Sequence, residues 1–162
     1  HFRHHEVVGA KMTKKILQNL KYDKKTIKSV VSLVELHLRP HTFKMGWTDS
    51  AVRRYIVDAG DVLEDLNNLV RADVTTKNKQ KAKEIYEKLD EMETRIKEVL
   101  EKEEMSKLRP PITGDEIMSL FNLEPGPKVG LIMKALYEQR INEGEVTKEE
   151  AIKLAKETFN NL

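Results

Sequence analysis

The sequence predicts an all-α protein, a multi-helix array with one long central helix and a small helical cap at the C-terminal end. Three observations support this fold class. Apolar residues recur at helical spacing almost everywhere, and alternating apolar and polar runs of strand-forming residues are missing. In addition, a stretch of roughly 30 residues before the cap contains neither glycine nor proline.

The first two helices are predicted to form an antiparallel pair. The first ends near Tyr22, and the second begins around Asp23 and stops before Pro40, because proline breaks a helix interior. The segment from His41 to Trp47 has too little pattern to predict an element. The two apolar faces contain Val7, Val8, Ala10, Met12, Ile16, Leu17 and Leu20, and then Ile27, Val30, Val31, Val34 and Leu38.

Two shorter helices are expected next. Thr48 is a predicted N-cap, and Asp49 favours the helix dipole, for a helix that ends near Ala59. Gly60 interrupts the pattern. The following helix carries Val62, Leu63, Leu66, Leu69 and Val70.

The long central helix is predicted from about Thr76 to Leu108, near 45 Å in length at 1.5 Å per residue. A narrow apolar stripe runs along it and is typical of a helix-packing seam. We favour packing within the chain, because three heptads are marginal for an independent coiled coil. Dimerisation through the stripe is the alternative. The stripe consists of Ala82, Ile85, Leu89, Met92, Ile96 and Val99.

The C-terminal cap begins after Pro110 and Pro111, which end the long helix. Thr147 and Glu150 form a predicted capping box, and Gly144 supplies the break before it. The three helices of the cap are expected at about residues 114–121, 127–142 and 147–160.

The composition excludes several classes of protein. No run of 18 apolar residues exists, so no membrane partner is expected, and the N-terminal HFRHHE does not resemble a signal peptide. The absence of cysteine excludes disulfides and thiolate metal sites, and it fits a cytoplasmic location.

The net charge of +2 hides a strong asymmetry. Residues 1–60 carry 12 Lys and Arg against 5 Asp and Glu, whereas residues 61–162 carry 17 against 22. A basic half beside an acidic half indicates an oriented polyanionic partner. The alternative is a lysine-rich helix face that is only solvated.

The turn at Pro125–Gly130 is a candidate phosphate site. It opens a helix whose first amide groups lack internal partners and carry partial positive charge. Gly126 and Gly130 remove side chains that would hold a ligand away, Pro127 suits the first helical position, and Lys128 adds a full charge. The alternative is a rigid connection between two packed helices.

The segment RADVTTKNK at residues 71–79 is a second candidate. Hydroxyl groups, an amide and basic side chains are predicted to surround a helix N-terminus capped by Thr75 or Thr76, a mixture that contacts phosphate and ribose. Simple helix capping is the alternative. The candidate contacts are Arg71, Thr75, Lys77, Asn78 and Lys79.

Histidines are the candidate metal ligands. The sequence contains His1, His4, His5, His37 and His41. His5 and His37 are expected to meet at one end of the antiparallel pair, and Asp73 could supply an oxygen ligand to a divalent ion. The alternative is that these histidines are partly buried or solvated residues without a ligand.

No other motif indicates an active site. The sequence has no Walker-type glycine loop, no HExxH pair and no GxSxG elbow. Asp61, Glu64 and Asp65 are expected to form a solvated face and not an acid/base pair. The chain is therefore predicted to be a binding region and not a complete enzyme.

Three segments together resemble one family. They are HHEVVGAKMT at 4–13, GWTDSAVRRYIVDAG with LVRADVTTKNKQKA at 46–60 and 69–82, and LRPPITGDEIM with LEPGPKVG at 108–130. In this order they resemble the C-terminal half of bacterial CCA-adding tRNA nucleotidyltransferases and related poly(A) polymerases with an HD-type domain. The resemblance implies three domains: a partial HD-like domain at 1–74, a connecting helix at 75–109 and an RNA-binding tail at 110–162.

The resemblance also implies where the chemistry takes place. In the family, an N-terminal head with paired aspartates binds two metal ions and transfers nucleotides to an RNA 3′ end. This chain has neither the motif nor the length for that head, so we expect it to be inactive alone. Mg²⁺ and ATP or CTP would serve the head, and no cofactor is expected here. The expected partner is tRNA or another RNA 3′ end, and not DNA.

The HD pattern is similar only in part. His5 resembles the histidine after the family's HD dipeptide, His37 the next histidine, and Asp73 the closing aspartate. The leading histidine and the HD dipeptide are absent, so we expect no tightly held metal. The leading hypothesis is an RNA-holding region of a nucleotidyltransferase. The alternatives are an HD-type metal-dependent phosphohydrolase acting on nucleotide or RNA-end phosphates, and a helical module that dimerises.

Overall fold

A computed structural model describes residues 5–103 and 109–162. Helices dominate these ranges and no strand occurs in them, which confirms the all-α prediction. The α-helices are α1 (His5–Asn19), α2 (Lys24–Leu36), α3 (Asp49–Ala59), α4 (Leu63–Ala72), α5 (Lys79–Glu103), α6 (Gly114–Phe121), α7 (Pro127–Glu143) and α8 (Lys148–Asn160), with 3₁₀ helices at Arg39–Met45 and Gly60–Val62.

The chain divides into two compact units. The first contains the described residues up to Trp47 together with Arg54–Ile96. The second contains Thr48–Arg53 and the described residues from Lys97 onward. The predicted domain borders at residues 74 and 109 stay predictions.

The α1–α2 hairpin opens the first unit. The helix α1 ends at Asn19, earlier than predicted, because Lys21 adopts a left-handed conformation with φ 58°. The amides of Lys21 and Tyr22 then bond back to the carbonyls of Gln18 and Leu17, each at 3.0 Å, which closes the helix. The predicted start of α2 is confirmed, because the Asp23 carboxylate accepts hydrogen bonds from the first free amides of the helix.

A 3₁₀ helix follows α2, and the prediction of no element between His41 and Trp47 was wrong. The helix spans Arg39–Met45 and has Pro40 in its first turn. Such short helices bond residues three apart, so they leave no amphipathic period that a sequence pattern could reveal. Phe43 is buried in the first unit.

The remaining helices of the first unit enclose its core. Gly60, with φ 50°, ends α3 and starts the short 3₁₀ turn before α4, as expected of the predicted break. The hydroxyl of buried Tyr55 donates to Asn67 Oδ1 at 3.0 Å, and burial raises the pKa of Tyr55 well above its usual range. The buried apolar residues of this unit are Ala10, Phe43, Tyr55, Ile56, Ala59, Val62, Leu66, Val70, Leu89, Met92 and Ile96.

The long helix α5 has 25 residues and measures about 37 Å at 1.5 Å per residue. It begins at Lys79, after the predicted start, and the end of the predicted range lies outside the described residues. Leu89, Met92, Ile96 and Val99 are buried within the single chain, whereas Ala82 and Ile85 at the start of the stripe are partly exposed. The burial supports packing of the stripe within the chain.

The second unit contains the helices of the C-terminal cap, whose bounds agree with the prediction within one residue. The box at Thr147 and Glu150 is confirmed, and Thr113 with Glu116 forms a second one. Gly144 adopts φ 85°, which explains why glycine ends α7. The core consists of Ile112, Ile117, Ile132, Leu136, Val146, Ala151 and Ala155. Within the described ranges, no helix combines the length and apolarity that crossing a bilayer requires.

Candidate nucleic-acid interface

The Pro125–Gly130 turn lies on the surface of the second unit. Pro127 occupies the first turn of α7, as predicted, and the residues from Glu124 to Lys128 are exposed. The Gly130 amide bonds to the Gly126 carbonyl at 3.2 Å, so the helix is fully formed from its start. The amides of the two residues after Pro127 have no intrahelical acceptor and point toward the N-terminal end of the helix.

Neither glycine of this turn has a close neighbour that would exclude a side chain. Gly126 has φ 175°, an extended conformation that any residue adopts, and a Cβ there would lie 3.8 Å from the nearest atom, the Glu124 carbonyl oxygen. A Cβ at Gly130 would meet nothing within 4 Å. The glycines therefore leave open space at the surface, as a site for close approach of a ligand would require.

Lys128 places a positive charge beside this turn. Its Nζ lies 6.0 Å from the ring centroid of Phe159, and Phe159 stacks on Phe121 with centroids 4.6 Å apart. A cation at this distance is only weakly attracted to the ring. The ammonium group is thus exposed and loosely held, so it could contact an anion.

Arg71 is engaged within the first unit. Its Nε donates to Glu93 Oε1 at 2.8 Å and its terminal nitrogen to Asp90 Oδ1 at 2.5 Å. These two bonds raise the pKa of the guanidinium above its usual value. The side chain thereby joins α4 to α5, so an RNA contact by Arg71, which stays a prediction, would compete with two carboxylates.

The other predicted contacts in this segment are exposed at the start of α5. Thr75, Lys77, Asn78 and Lys79 are all exposed. The cap of the helix is Asn78, whose Oδ1 accepts from the amides of Gln80 and Lys81 at 3.0 and 3.1 Å. The predicted capping by Thr75 or Thr76 was wrong. Thr76 instead accepts the amide of Asn78 at 3.3 Å. Asparagine is at least as good an N-cap residue as threonine, so Asn78 was an equally good signal in the sequence.

The histidine prediction is met only in part. The rings of His5 and His37 meet at the same end of the hairpin with centroids 5.5 Å apart, and His37 Nδ1 lies 2.7 Å from the Val34 carbonyl. His1 and His4 lie outside the described residues. Asp73 is exposed at the end of α4, and no group of three or more His, Asp or Glu that could hold a metal exists among the described residues. His5, His37 and Asp73 therefore do not form the three-ligand site considered from the sequence.

Sequence reasoning missed a buried cation of the second unit, Arg53. It is 7 % exposed, and its guanidinium donates to the carbonyls of Ile141 at 2.7 Å and Asn142 at 3.3 Å, the last turn of α7. Helix C-termini leave such carbonyls without partners and attract cations. No local pattern could reveal this contact, because 88 residues separate Arg53 from Ile141.

Sequence reasoning also missed a local lysine cluster on the α1–α2 hairpin. The excess of basic residues was evident as a count over residues 1–60, but a count does not show which lysines share a surface. Lys14 and Lys24, on different helices, line one groove. The antiparallel pairing predicted for the two helices is the signal that places these lysines on one surface.

Comparison with known proteins gives one consistent family. The family described as tRNA nucleotidyltransferase domain 2 matches residues 6–155. A CC-adding tRNA nucleotidyltransferase of Thermus thermophilus is 35 % identical over 152 residues, which are 93 % of this chain and 32 % of the relative. An A-adding tRNA nucleotidyltransferase of Deinococcus radiodurans is 33 % identical over 141 residues, 86 % of this chain and 31 % of the relative.

The chain thus spans about a third of the length of these curated relatives. No solved structure matches the chain.

Proposed function

The chain belongs to the tRNA nucleotidyltransferase family, and we propose that it is the tRNA-holding region of an enzyme that adds nucleotides to tRNA 3′ ends. Catalysis would reside in another part of a longer protein, where paired carboxylates bind Mg²⁺ and ATP or CTP. The chain alone would bind tRNA without extending it. This proposal fits a region that corresponds to only about a third of the length of its relatives.

One observation carries the holding role: the glycines at the start of α7 leave open space at an exposed helix N-terminus. Gly126 and Gly130 border exposed backbone beside Lys128, and neither has a close neighbour that excludes a larger side chain. Glycine costs helix stability relative to alanine. Its presence at Gly130 is therefore better explained by a ligand that approaches the backbone, and a phosphate suits the partial positive charge of this helix end.

The names of the relatives support tRNA over a poly(A) tract as the partner. One relative is named for adding CC and the other for adding A, yet this chain is 35 % and 33 % identical to them. A region that decided which nucleotide is added would be expected to favour one of them. A region that holds their common substrate, tRNA, would resemble both.

The phosphohydrolase alternative lacks support from the described residues. Hydrolysis at a metal centre needs several protein ligands and an open position for water. His5 and His37 approach each other, but no third ligand joins them within the ranges that the structure describes. We therefore favour the holding role.

Binding of a tRNA that lacks its CCA end tests the proposal. Affinity measured by filter binding should fall steeply with salt, because each phosphate contact releases counterions. Lys79→Glu and Lys128→Glu should each weaken binding by about tenfold, equivalent to about 1.4 kcal/mol. Lys153→Glu, at an exposed position on α8, is the matched control.

Circular dichroism of the variants should be unchanged, because all three lysines are exposed. Equal affinity of Lys79→Glu, Lys128→Glu and the parent chain at low salt would count against the proposal. A chain that binds duplex DNA as tightly as tRNA would argue against tRNA as its partner.

A further inference from the structure

The α1–α2 hairpin presents an unusual density of positive charge. Between Lys11 and Lys28 the sequence contains seven lysines and a single carboxylate, Asp23. All seven are exposed, and none forms an ion pair with a residue that the structure describes. They are Lys11, Lys14, Lys15, Lys21, Lys24, Lys25 and Lys28.

The single carboxylate, that of Asp23, caps the helix α2. Asp23 accepts from the amides of Lys25 and Thr26 at 2.9 and 3.0 Å and from the Thr26 hydroxyl at 2.5 Å. These hydrogen bonds, that of the Thr26 hydroxyl first, lower the pKa of Asp23. Asp23 caps α2, and it forms no ion pair with the lysines of the described chain.

Two grooves border α2, and they differ in charge. The groove between α1 and α2 has a volume of about 380 Å³, and no acidic residue lines it. A second groove, of about 800 Å³, shares Lys24 and Lys28 with the first. It differs in that its lining also contains Asp58, Asp61 and Asp65. The first groove is lined by Lys14, Gln18, Lys24, Ile27, Lys28, Val31 and Ser32.

The α1–α2 groove has the chemistry of a backbone-binding surface. Lys14 and Gln18 lie one turn apart on α1, and Lys24 and Lys28 lie one turn apart on α2, each pair about 6 Å along its helix axis. Exposed ammonium groups on both helices, Lys14 on α1 and Lys24 and Lys28 on α2, suit a string of phosphates, whereas a single small anion needs buried, convergent donors. The lining also contains Ile27 and Val31, whose apolar side chains could pack against the sugars of the backbone.

We propose that the α1–α2 groove binds the phosphate backbone of RNA, with Lys14, Lys24 and Lys28 as the phosphate contacts. It would be a contact surface separate from residues 71–79 and from the Pro125–Gly130 turn. The inference rests on the proposed function, because it takes tRNA as the occupant. Contacts of this kind position the RNA and do not read its sequence.

The salt dependence of tRNA binding by the 162-residue chain tests this surface. A triple variant, Lys14→Gln, Lys24→Gln and Lys28→Gln, should lower the slope of log K against log salt by about 2 to 3. Each lost phosphate contact accounts for about 0.7 to 0.9 of that slope. The control removes three exposed lysines from the second unit, Lys134→Gln, Lys153→Gln and Lys156→Gln. It changes net charge equally and should leave the slope within about 0.5 of that of the parent chain.

A positional test uses the absence of cysteine in this chain. Gln18→Cys labelled with a benzophenone photocrosslinker should crosslink to bound tRNA, because Gln18 lines the α1–α2 groove. Asp61→Cys, on the acidic wall of the other groove, is the control and should crosslink much less.

The outcomes separate the two proposals. If the parent chain does not bind tRNA at low salt, the proposed function fails, and this inference fails with it. If it binds tRNA but the two triple variants have the same slope, or the two cysteine variants crosslink equally, only the α1–α2 groove is excluded.

Discussion

The α1–α2 hairpin and the C-terminal cap are built from helices of similar length, but they use their apolar residues differently. In the cap, α7 and α8 bury Ile132, Leu136, Ala151 and Ala155 in a closed core. In the hairpin, α2 buries no residue fully and α1 buries only Ala10, while Met12 and Ile16 remain more than half exposed. The cap is therefore built for stability, whereas the hairpin presents surface, and that surface is basic.

The largest expected difference between the two regions is in their response to the loss of an isoleucine. Ile132→Ala in the cap should lower the free energy of unfolding by about 2 to 5 kcal/mol, because Ile132 is 0 % exposed and the substitution leaves a cavity. Ile16→Ala in the hairpin should change it by no more than about 0.5 kcal/mol, because Ile16 is 53 % exposed. Urea unfolding followed by circular dichroism measures both. Similar losses would show that the apolar side of α1 is covered.

A second contrast concerns two arginines, one in each unit. Arg53→Ala should destabilise the protein by about 1.5 to 3 kcal/mol, because it removes charged hydrogen bonds and leaves the buried carbonyl of Ile141 without this donor. Arg71→Ala should cost about 1 kcal/mol or less, because its partners Asp90 and Glu93 are partly exposed and water replaces the lost bonds.

Urea unfolding again compares these two variants, and Arg53→Lys is the control that keeps a charge at the first site. If Arg71→Ala is the more destabilising substitution, the ion pairs of Arg71 between α4 and α5 contribute more to stability than the hydrogen bonds of Arg53 to the end of α7.

The sequence predicted features that depend on neighbouring residues better than features that depend on residues far apart in the chain. Local signals predicted well: the second helix starts after Asp23 as expected, and Thr48 and the Thr147–Glu150 box cap their helices as predicted. The same S/T-x-x-E pattern occurs at Thr113 and Glu116, which also form a capping box. The 3₁₀ helix at Arg39–Met45 could not be predicted, because it has no amphipathic period.

Interactions between distant residues could not be predicted at all. The carboxylates that engage Arg71 lie on another helix, and the acceptors of Arg53 lie near the end of the chain. The same applies to the candidate site. Residue types identified the Pro125–Gly130 turn, but only the folded structure shows that its glycines border open space. Only the folded structure shows, likewise, that lysines of two helices line one groove.

The next prediction is that one substitution in the C-terminal cap, at Gly130, raises stability and weakens tRNA binding. Gly130→Ala should stabilise the protein by up to about 1 kcal/mol, because alanine favours a helix and the added methyl group meets no neighbour. The same methyl group should weaken tRNA binding, by about tenfold, because it covers the backbone at the start of α7. Thermal unfolding and filter binding measure the two effects. Ser119→Ala, an exposed position on α6, is the control for helix propensity alone.

A gain in stability with unchanged affinity at Gly130→Ala would exclude this turn as a phosphate contact. It would leave residues 71–79 and the hairpin as the remaining basic candidates. A loss of stability would instead show that Gly130 has a structural role that its open surroundings do not reveal.

The smallest expected effect is a response of the helix caps to acid. The hydrogen bond from Lys148, and then that from the Thr113 amide, lowers the pKa of Glu116 below its usual 4.5, and the Thr147 amide lowers that of Glu150. Because the folded state has the lower pKa, these caps stabilise the protein fully above about pH 4.5 and are lost as the pH falls through the folded-state values.

The melting temperature should therefore decrease on acidification below pH 4.5, and Glu116→Gln with Glu150→Gln should reduce that decrease. Asp23, whose usual value is 3.8, caps the hairpin in the same way and should lose its contribution at lower pH. If the melting temperature of the double variant decreases as much on acidification as that of the parent chain, the carboxylates responsible lie outside the C-terminal cap. The hairpin would then be the next region to test, with Asp23→Asn.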